Sequence, residues 1–187
     1  MKPRKLQIAA AAPELADSQA MSRIASGDLG GLGELYDRHA KALHTFIRRF
    51  DPGEDADDLM QAVFLRALQK AAEYDDRNPT ARAWLFGIAA HVLQERRRSI
   101  RRLMRALLAY DSASDAAVEP SVEAKVDVKQ CLSRISPLKR LVLILFEIEG
   151  FTCQEISDLL GVPIGTVWTR LHHARRDFAM SSEEGLR

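Results

Sequence analysis

Thr152-Cys153-Gln154-Glu155-Ile156, running on through Leu160-Gly161-Val162-Pro163-Ile164-Gly165-Thr166-Val167, reads as a helix, a glycine-led turn and a second helix. The two helices are expected over about 152–160 and 164–178. At roughly 100° per residue, Val167, Leu171, Ala174 and Phe178 make one apolar stripe on the second helix. Thr169 and Arg176 point away from that stripe. His172 and His173 flank them, and Trp168, Arg170 and Arg175 lie nearer the margins, with Thr166 in the first turn. Asp177 is the one acid on the face. Arg, Thr and His side chains are donors for base edges in a major groove, and a helix-turn-helix presents its second helix there. An isolated helix of this kind would be read as a solvated basic face. The preceding helix and the Gly161-Val162-Pro163 turn favour DNA. A metal site at His172-His173 is not expected, because adjacent helical residues diverge by about 100°.

About sixty residues upstream lies a second basic feature. Arg96, Arg97, Arg98, Arg101, Arg102 and Arg105 end a helical pattern over about 81–108. Leu85, Ile88, Ala89 and Val92 form its core stripe, and Trp84, Gly87, His91, Gln94 and Arg98 lie opposite. An aromatic heading a polar stripe can stack on an unpaired base. Arg97, Arg98, Arg101 and Arg102 would then hold phosphates. The alternative is that Trp84 merely covers a neighbouring helix. A further helix, about 54–73, turns Met60, Val63, Phe64, Ala67 and Ala71 one way and Asp58, Gln61, Leu65 and Gln69 the other. Its acidic first turn suits a helix N-terminus. Leu65 among polar residues marks either a partner surface or an ordinary exposed leucine.

The rest of the chain is helical in pattern, with few strand signals. A short helix is expected at 22–26, ended by Gly27-Asp28, and another at about 34–49, broken by Asp51-Pro52-Gly53. Gly30, Gly31 and Gly33 lack the lysine ending of a phosphate loop. Residues 110–120 are rich in Asp, Ser, Ala and Pro and form the best linker candidate. Beyond them a helix is expected at about 121–134, then one starting at Ser136-Pro137 and ended by Gly150. The resulting division is a disordered tail 1–20, a helical domain 21–109, a linker 110–120, a helical domain 121–180 and a tail 181–187.

A net charge of +1 over 187 residues hides local segregation. Residues 111–124 carry four acids and no Lys or Arg, just after the arginine run. A phosphate backbone meets local charge, so the average says little. Cys131 and Cys153, far apart in helical patterns, support neither a disulfide framework nor a four-cysteine zinc site. No apolar run reaches membrane-spanning length. The N-terminus lacks a strong apolar signal segment, so a cytoplasmic protein is expected.

Leu138-Lys139-Arg140 with Leu141-Val142-Leu143, Glu149-Gly150-Phe151-Thr152, Glu155-Ile156, Leu160-Gly161-Val162-Pro163, Gly165-Thr166-Val167 and Arg170-Leu171-His172-His173-Ala174-Arg175 closely resemble region 4 of the extracytoplasmic-function sigma factors. Gly27-Asp28, Leu35-Tyr36, Asp57-Asp58-Leu59 with Gln61 and Val63-Phe64, and Ala83-Trp84-Leu85-Phe86 with Ile88-Ala89 resemble their region 2. The likeness covers about 21–179 in the family's order. It implies an all-α fold of two small helical domains joined by a flexible linker. It also implies a non-enzymatic initiation factor without cofactor, metal or catalytic residue. Asp58, Gln61, Leu65 and Gln69 would meet the clamp helices of core RNA polymerase. Trp84, Gly87, His91, Gln94, Arg97, Arg98, Arg101 and Arg102, with the loop 74–80, would engage and melt the minus-10 element. Thr166, Trp168, Thr169, Arg170, His172, His173 and Arg176 would read the minus-35 element. A cognate anti-sigma factor and a monomeric free state are further implications.

The chain departs from the family at Gly31-Leu32-Gly33, where an Ala-Phe pair is common and a weaker first helix is expected. It also departs at Trp168, where a basic residue is common, and at His91 and Gln94, where Asn and Asp are common. Two other readings compete: a dimeric helix-turn-helix regulator, and a sigma mimic that binds an anti-sigma factor without DNA.

Overall fold

The computed structural model describes residues 11–52, 55–75, 80–110 and 128–184. They form α1 (Ala11–Ala25), α2 (Gly30–Phe50), α3 (Ala56–Lys70) with a 3-10 turn Ala71–Glu73, and α4 (Ala81–Tyr110). There follow α5 (Val128–Arg134), α6 (Pro137–Leu143) continuing into a π-helical turn Ile144–Ile148, α7 (Cys153–Leu160) and α8 (Ile164–Glu184). No strand occurs among the described residues. Tyr110, the first residue of the expected linker 110–120, ends α4; the rest of that linker, the start of the 121–134 helix, the centre of the 74–80 loop and the ends 1–10 and 185–187 lie outside the described residues.

The N-terminal end differs most from the sequence reading. The tail assigned to 1–20 is helical from Ala11, and the expected helix 22–26 is only the end of α1. Ala20, Met21 and Ile24 bury against the core, which a polar tail could not do. Asp17 is only 5% exposed and takes Arg38 at 2.6 Å and His39 at 2.8 Å from α2. The glycines before Glu34 do not loosen α2, which starts at Gly30 rather than near 34. At Gly31 a Cβ would stand 2.4 Å from the Ala20 carbonyl oxygen, so glycine is what lets α1 and α2 approach. Gly27 at φ 90° turns the chain out of α1, and Asp28 accepts the Gly30 N–H at 2.8 Å.

Asp55 caps α3 by accepting the N–H groups of Asp57 and Asp58. Leu59, Met60, Val63, Phe64 and Ala67 bury the inward face of α3, as their spacing requires. On α4 the expected stripe Leu85, Ile88, Ala89 and Val92 is buried, but so are Phe86, Gly87, Ala90 and Leu93. Of these the sequence assigned only Gly87 to the polar side, and Leu159 of α7 covers it.

Thr152 and Glu155 form a capping box at α7: the Glu155 N–H donates to Thr152 Oγ1 at 3.2 Å and the Thr152 N–H to Glu155 Oε2 at 2.6 Å. Gly161 ends α7 in the left-handed conformation at φ 62°, ψ 38°. The Ser157 hydroxyl donates to the Val162 carbonyl at 2.7 Å and fixes the turn. Helix α8 then runs to Glu184, past the expected end at 178, with Val167, Leu171 and Ala174 in the core. Ser136 occupies the N-cap of α6 but makes no side-chain cap bond.

The apolar core is continuous from α1 to α8. Where α2 and α4 meet α6 and α7, the Phe86 and Phe151 rings stand edge-on at 5.3 Å. Arg140, 4% exposed, reaches across from α6 and donates to the Phe50 carbonyl at 2.7 Å. It also donates to the Ser133 and Ile135 carbonyls at 2.8 and 3.1 Å.

Candidate nucleic-acid and polymerase surfaces

The α8 face is built by its burial pattern. With Val167, Leu171 and Ala174 facing inward, Trp168, Thr169, His172 and Arg176 face outward. Trp168 is 55% exposed, unusual for an indole with no partner on its own element to cover it. Trp168, His172 and Arg176 follow each other at four-residue steps and so form one row. The Thr169 hydroxyl donates to the Gly165 carbonyl at 2.9 Å, which leaves its lone pairs outward. Thr166, Arg170 and His173 are half-buried at the margins. Arg175 is drawn off the face, with Nε 2.7 Å from Glu147 Oε1 and its guanidinium over the Phe146 ring. Asp177 turns back to Lys139 at 2.7 Å, and that hydrogen bond holds its carboxyl below the usual range. The row therefore faces outward, with Asp177 held mainly by Lys139 and its other oxygen 3.9 Å from Arg176 at the end of the row.

On α3, Asp58, Gln61, Leu65 and Gln69 are all exposed on one face, and Leu65 is 53% exposed. Among the described residues nothing covers that leucine more fully, so an apolar side chain stands in the middle of the polar side of α3. Arg66 and Glu95, 2.6 Å apart, tie the neighbouring edge of α3 to α4.

The α4 stripe is less uniform than its sequence. Trp84 is half-buried, edge-on to Tyr74 at 5.5 Å. Gly87 is buried, and a Cβ there would touch Leu159 of α7 at 3.4 Å. His91 is exposed and Gln94 half-buried. With Trp84, Gly87, Asp158 and Leu159, His91 lines a cleft of about 360 Å³ between α4 and α7. Arg97 is not a free phosphate donor: it pairs with Asp51 at 2.7 Å and lies over the Phe50 ring. Arg98, Arg101 and Arg102 are exposed, and Arg105 extends their row. Among the described residues their guanidinium groups make local bonds to Gln94 O, Arg97 O, Ser99 Oγ and Arg101 O. Such side chains are free to turn outward to phosphate.

Arg82, Glu149 and Arg140, which bring charge to the boundary between α4 and α6–α7, were given no role from sequence. Arg82 donates to the Glu149 carbonyl at 3.1 Å and to its Oε2 at 3.2 Å. Its guanidinium lies over both Phe86 and Phe151, and Arg140 joins the same boundary. Arg82 in a first helical turn looks like any solvated arginine. Only knowledge of which helices meet would have found it. Among the described residues no cluster of three metal-binding side chains exists, and no helix is long and apolar enough to cross a membrane.

Two family models match this arrangement: sigma-70 region 2 over residues 35–112, and sigma-70 region 4 over residues 125–178. The chain is 30% identical over 177 residues to the RNA polymerase sigma factor CnrH of Cupriavidus metallidurans, covering 87% of this chain and 92% of that one. It is 29% identical over 169 residues to the ECF RNA polymerase sigma factor SigL of Mycobacterium tuberculosis, covering 88% and 96%. A solved structure of CnrH in complex with the cytosolic domain of CnrY superposes with a TM-score of 0.63 at 28% identity, covering 88% of this chain and 96% of that one. Both halves of the helical chain thus find their counterparts in one family and in one order, and the chain belongs to the sigma-70 family, as an extracytoplasmic-function sigma factor.

Proposed function

We propose that this sigma factor divides its work between the three surfaces described. The α3 face of Asp58, Gln61, Leu65 and Gln69 docks on core polymerase, with Leu65 as the apolar anchor. The α4 stripe engages the minus-10 element: Trp84 stacks on an opened base, Gly87, His91 and Gln94 line the strand's path, and Arg98, Arg101 and Arg102 hold phosphates. Arg97 joins them only by leaving Asp51. The α8 row reads the minus-35 element, with Trp168, Thr169, His172 and Arg176 leading and Thr166, Arg170 and His173 at the rim.

The observation that carries this reading is the pairing of an outward-facing α8 row with an exposed leucine on the polar side of α3 in one chain. A dimeric regulator would need neither Leu65 nor the α4 arginines, and a mimic without DNA would not need the α8 row. The chain makes and breaks no bond itself; polymerase does the chemistry. It acts in the cytoplasm as a monomer, in two domains joined through residues 110–120, and is held in check by an anti-sigma factor of its own. That last point is supported by the relative CnrH, which was solved with the cytosolic domain of CnrY.

Run-off transcription with core polymerase tests the whole. Promoter-dependent product that requires the chain is expected. A chain that binds promoter DNA as a dimer without polymerase would establish the regulator instead.

A further inference from the structure

The outward row of α8 changes character along its length. Ile164, Trp168, His172 and Arg176 follow one another at four-residue steps, about 6 Å apart along the helix axis. The first two are apolar and exposed, Ile164 by 41% and Trp168 by 55%. The last two are polar and exposed. Gly165 lies one turn before Trp168 and has open space where a Cβ would stand, so no side chain at that position shields the indole. Cations are kept from this end: Arg175 is held by Glu147, and Arg170 is half-buried. A recognition helix sets its N-terminal residues against base edges. The apolar end of the row is thus the end that meets the bases.

An indole finds few partners on the floor of a major groove, where base faces are stacked away and only edges show. Guanine presents N7 and O6, adenine N7 and an amino group, and cytosine an amino group. An apolar side chain pressed onto any of these strips water from a polar group without replacing its bond. Thymine presents a methyl group on C5, with the O4 acceptor on the same edge. The ring suits the first and the indole N–H suits the second. A phosphate offers an uncharged ring no ionic contact, whereas Arg176 at the other end of the row can take one.

We propose that Trp168, flanked by Ile164, is the residue by which this factor selects a thymine in the minus-35 element, with the indole seated against the C5 methyl group. The proposal rests on the α8 reading above and adds the class of base to it. A cytosine at the same position offers an amino group and no methyl, and is rejected. His172 and Arg176 meet groups further along the groove.

The test uses the full chain bound to core polymerase. Selection from duplexes randomised across both elements supplies the probe. The parent should enrich a minus-35 motif that contains thymine. Trp168→Ala should lose the thymine preference at one position and keep the rest of the motif, while Trp168→Phe should keep thymine there. In the duplex so selected, deoxyuridine in place of that thymidine removes the methyl group alone. The parent should then bind about fourfold more weakly, the contribution of one buried methyl group, and Trp168→Ala should bind both duplexes alike.

Equal binding of the parent to the thymidine and deoxyuridine duplexes overturns the proposal, as does an unchanged motif from Trp168→Ala. A loss in Trp168→Ala that is equal on all sequences, with core binding also reduced, makes Trp168 a polymerase contact and overturns it too. If Trp168→Ala loses helicity, the deoxyuridine comparison on the parent and on Trp168→Phe decides alone. A minus-35 motif that changes in Arg176→Ala but has no thymine dependent on Trp168 removes the thymine role and leaves the α8 reading standing. If the parent enriches no minus-35 motif, the α8 reading fails and the proposal with it.

Discussion

Arg140→Ala removes one buried guanidinium and strands three carbonyls, on Phe50, Ser133 and Ile135. Even at the ~1 kcal/mol net of an ordinary hydrogen bond, below the range for a charged donor, the loss is about 3 kcal/mol. That sum lies at the lower edge of the cost of breaking a buried charged set. For a chain of this size each kcal/mol lowers the melting temperature by about 2–4 °C, which gives a fall of about 6–12 °C. Arg140→Met separates the parts. It keeps the aliphatic stem under Phe50 and removes the charge whose burial already depresses the guanidinium pKa, desolvation being the largest cause. Its melting temperature should fall by about half as much. Circular dichroism at 222 nm follows both. A fall below about 2 °C for the alanine variant would refute the reasoning, because the three carbonyls would then be satisfied by water at no cost.

The other predictions concern each surface in turn. Leu65→Arg should weaken core polymerase binding by about 2 kcal/mol with helicity unchanged, and equal affinity in a pull-down titration would remove α3 from the interface. Arg101→Ala with Arg102→Ala should flatten the log-log salt dependence of holoenzyme binding by about two units on promoter and non-promoter DNA alike; a loss confined to one promoter sequence would contradict a phosphate role. Gly31→Ala forces a Cβ against the Ala20 carbonyl at the α1–α2 crossing, so it should destabilise by about 1–3 kcal/mol although alanine favours helix; a higher melting temperature would mean that α1 simply moves aside. Burial holds Glu149 above the ordinary glutamate pKa, so the folded chain takes up a proton there more readily than the unfolded one. This group's contribution to stability should thus be fully present below the ordinary value of about 4.3 and be lost as pH rises through the raised value, a trend that melting temperatures read and Glu149→Gln should abolish.

The helix-turn-helix was legible almost residue by residue. Its signals are local: a turn glycine, an apolar period and an outward row do not depend on what lies elsewhere in the chain. The α3 face was legible for the same reason, since Leu65 violates a period that can be read off the sequence. The N-terminal segment was misread because Ala and Gly carry opposite meanings in isolation and in contact. Gly31 looks like a breaker until Ala20 is seen against it. The α4 stripe was misread in the converse way. Its polar side was assigned to water, but Gly87 is covered by a helix more than sixty residues away in sequence. Arg97 shows the limit most plainly. Six arginines within ten residues announce phosphate, and nothing local says that one of them belongs to Asp51.

The π-helical turn at Ile144–Ile148 acts as a phase setter. Its wide loops close through the Glu149 N–H to the Ile144 carbonyl and the Phe151 N–H to the Leu145 carbonyl, each at 3.0 Å. One residue more than an α-turn requires is accommodated there, and each helical residue advances the azimuth by about 100°. Deleting a single residue from this turn would leave a regular helix, yet rotate everything that follows by about that angle. Glu149 would swing away from Arg82, Phe151 would leave Phe86, and α8 would be re-aimed along with them. An alignment of relatives that differ in length at this point would therefore be comparing chains whose two halves are keyed differently, however similar the residues on either side.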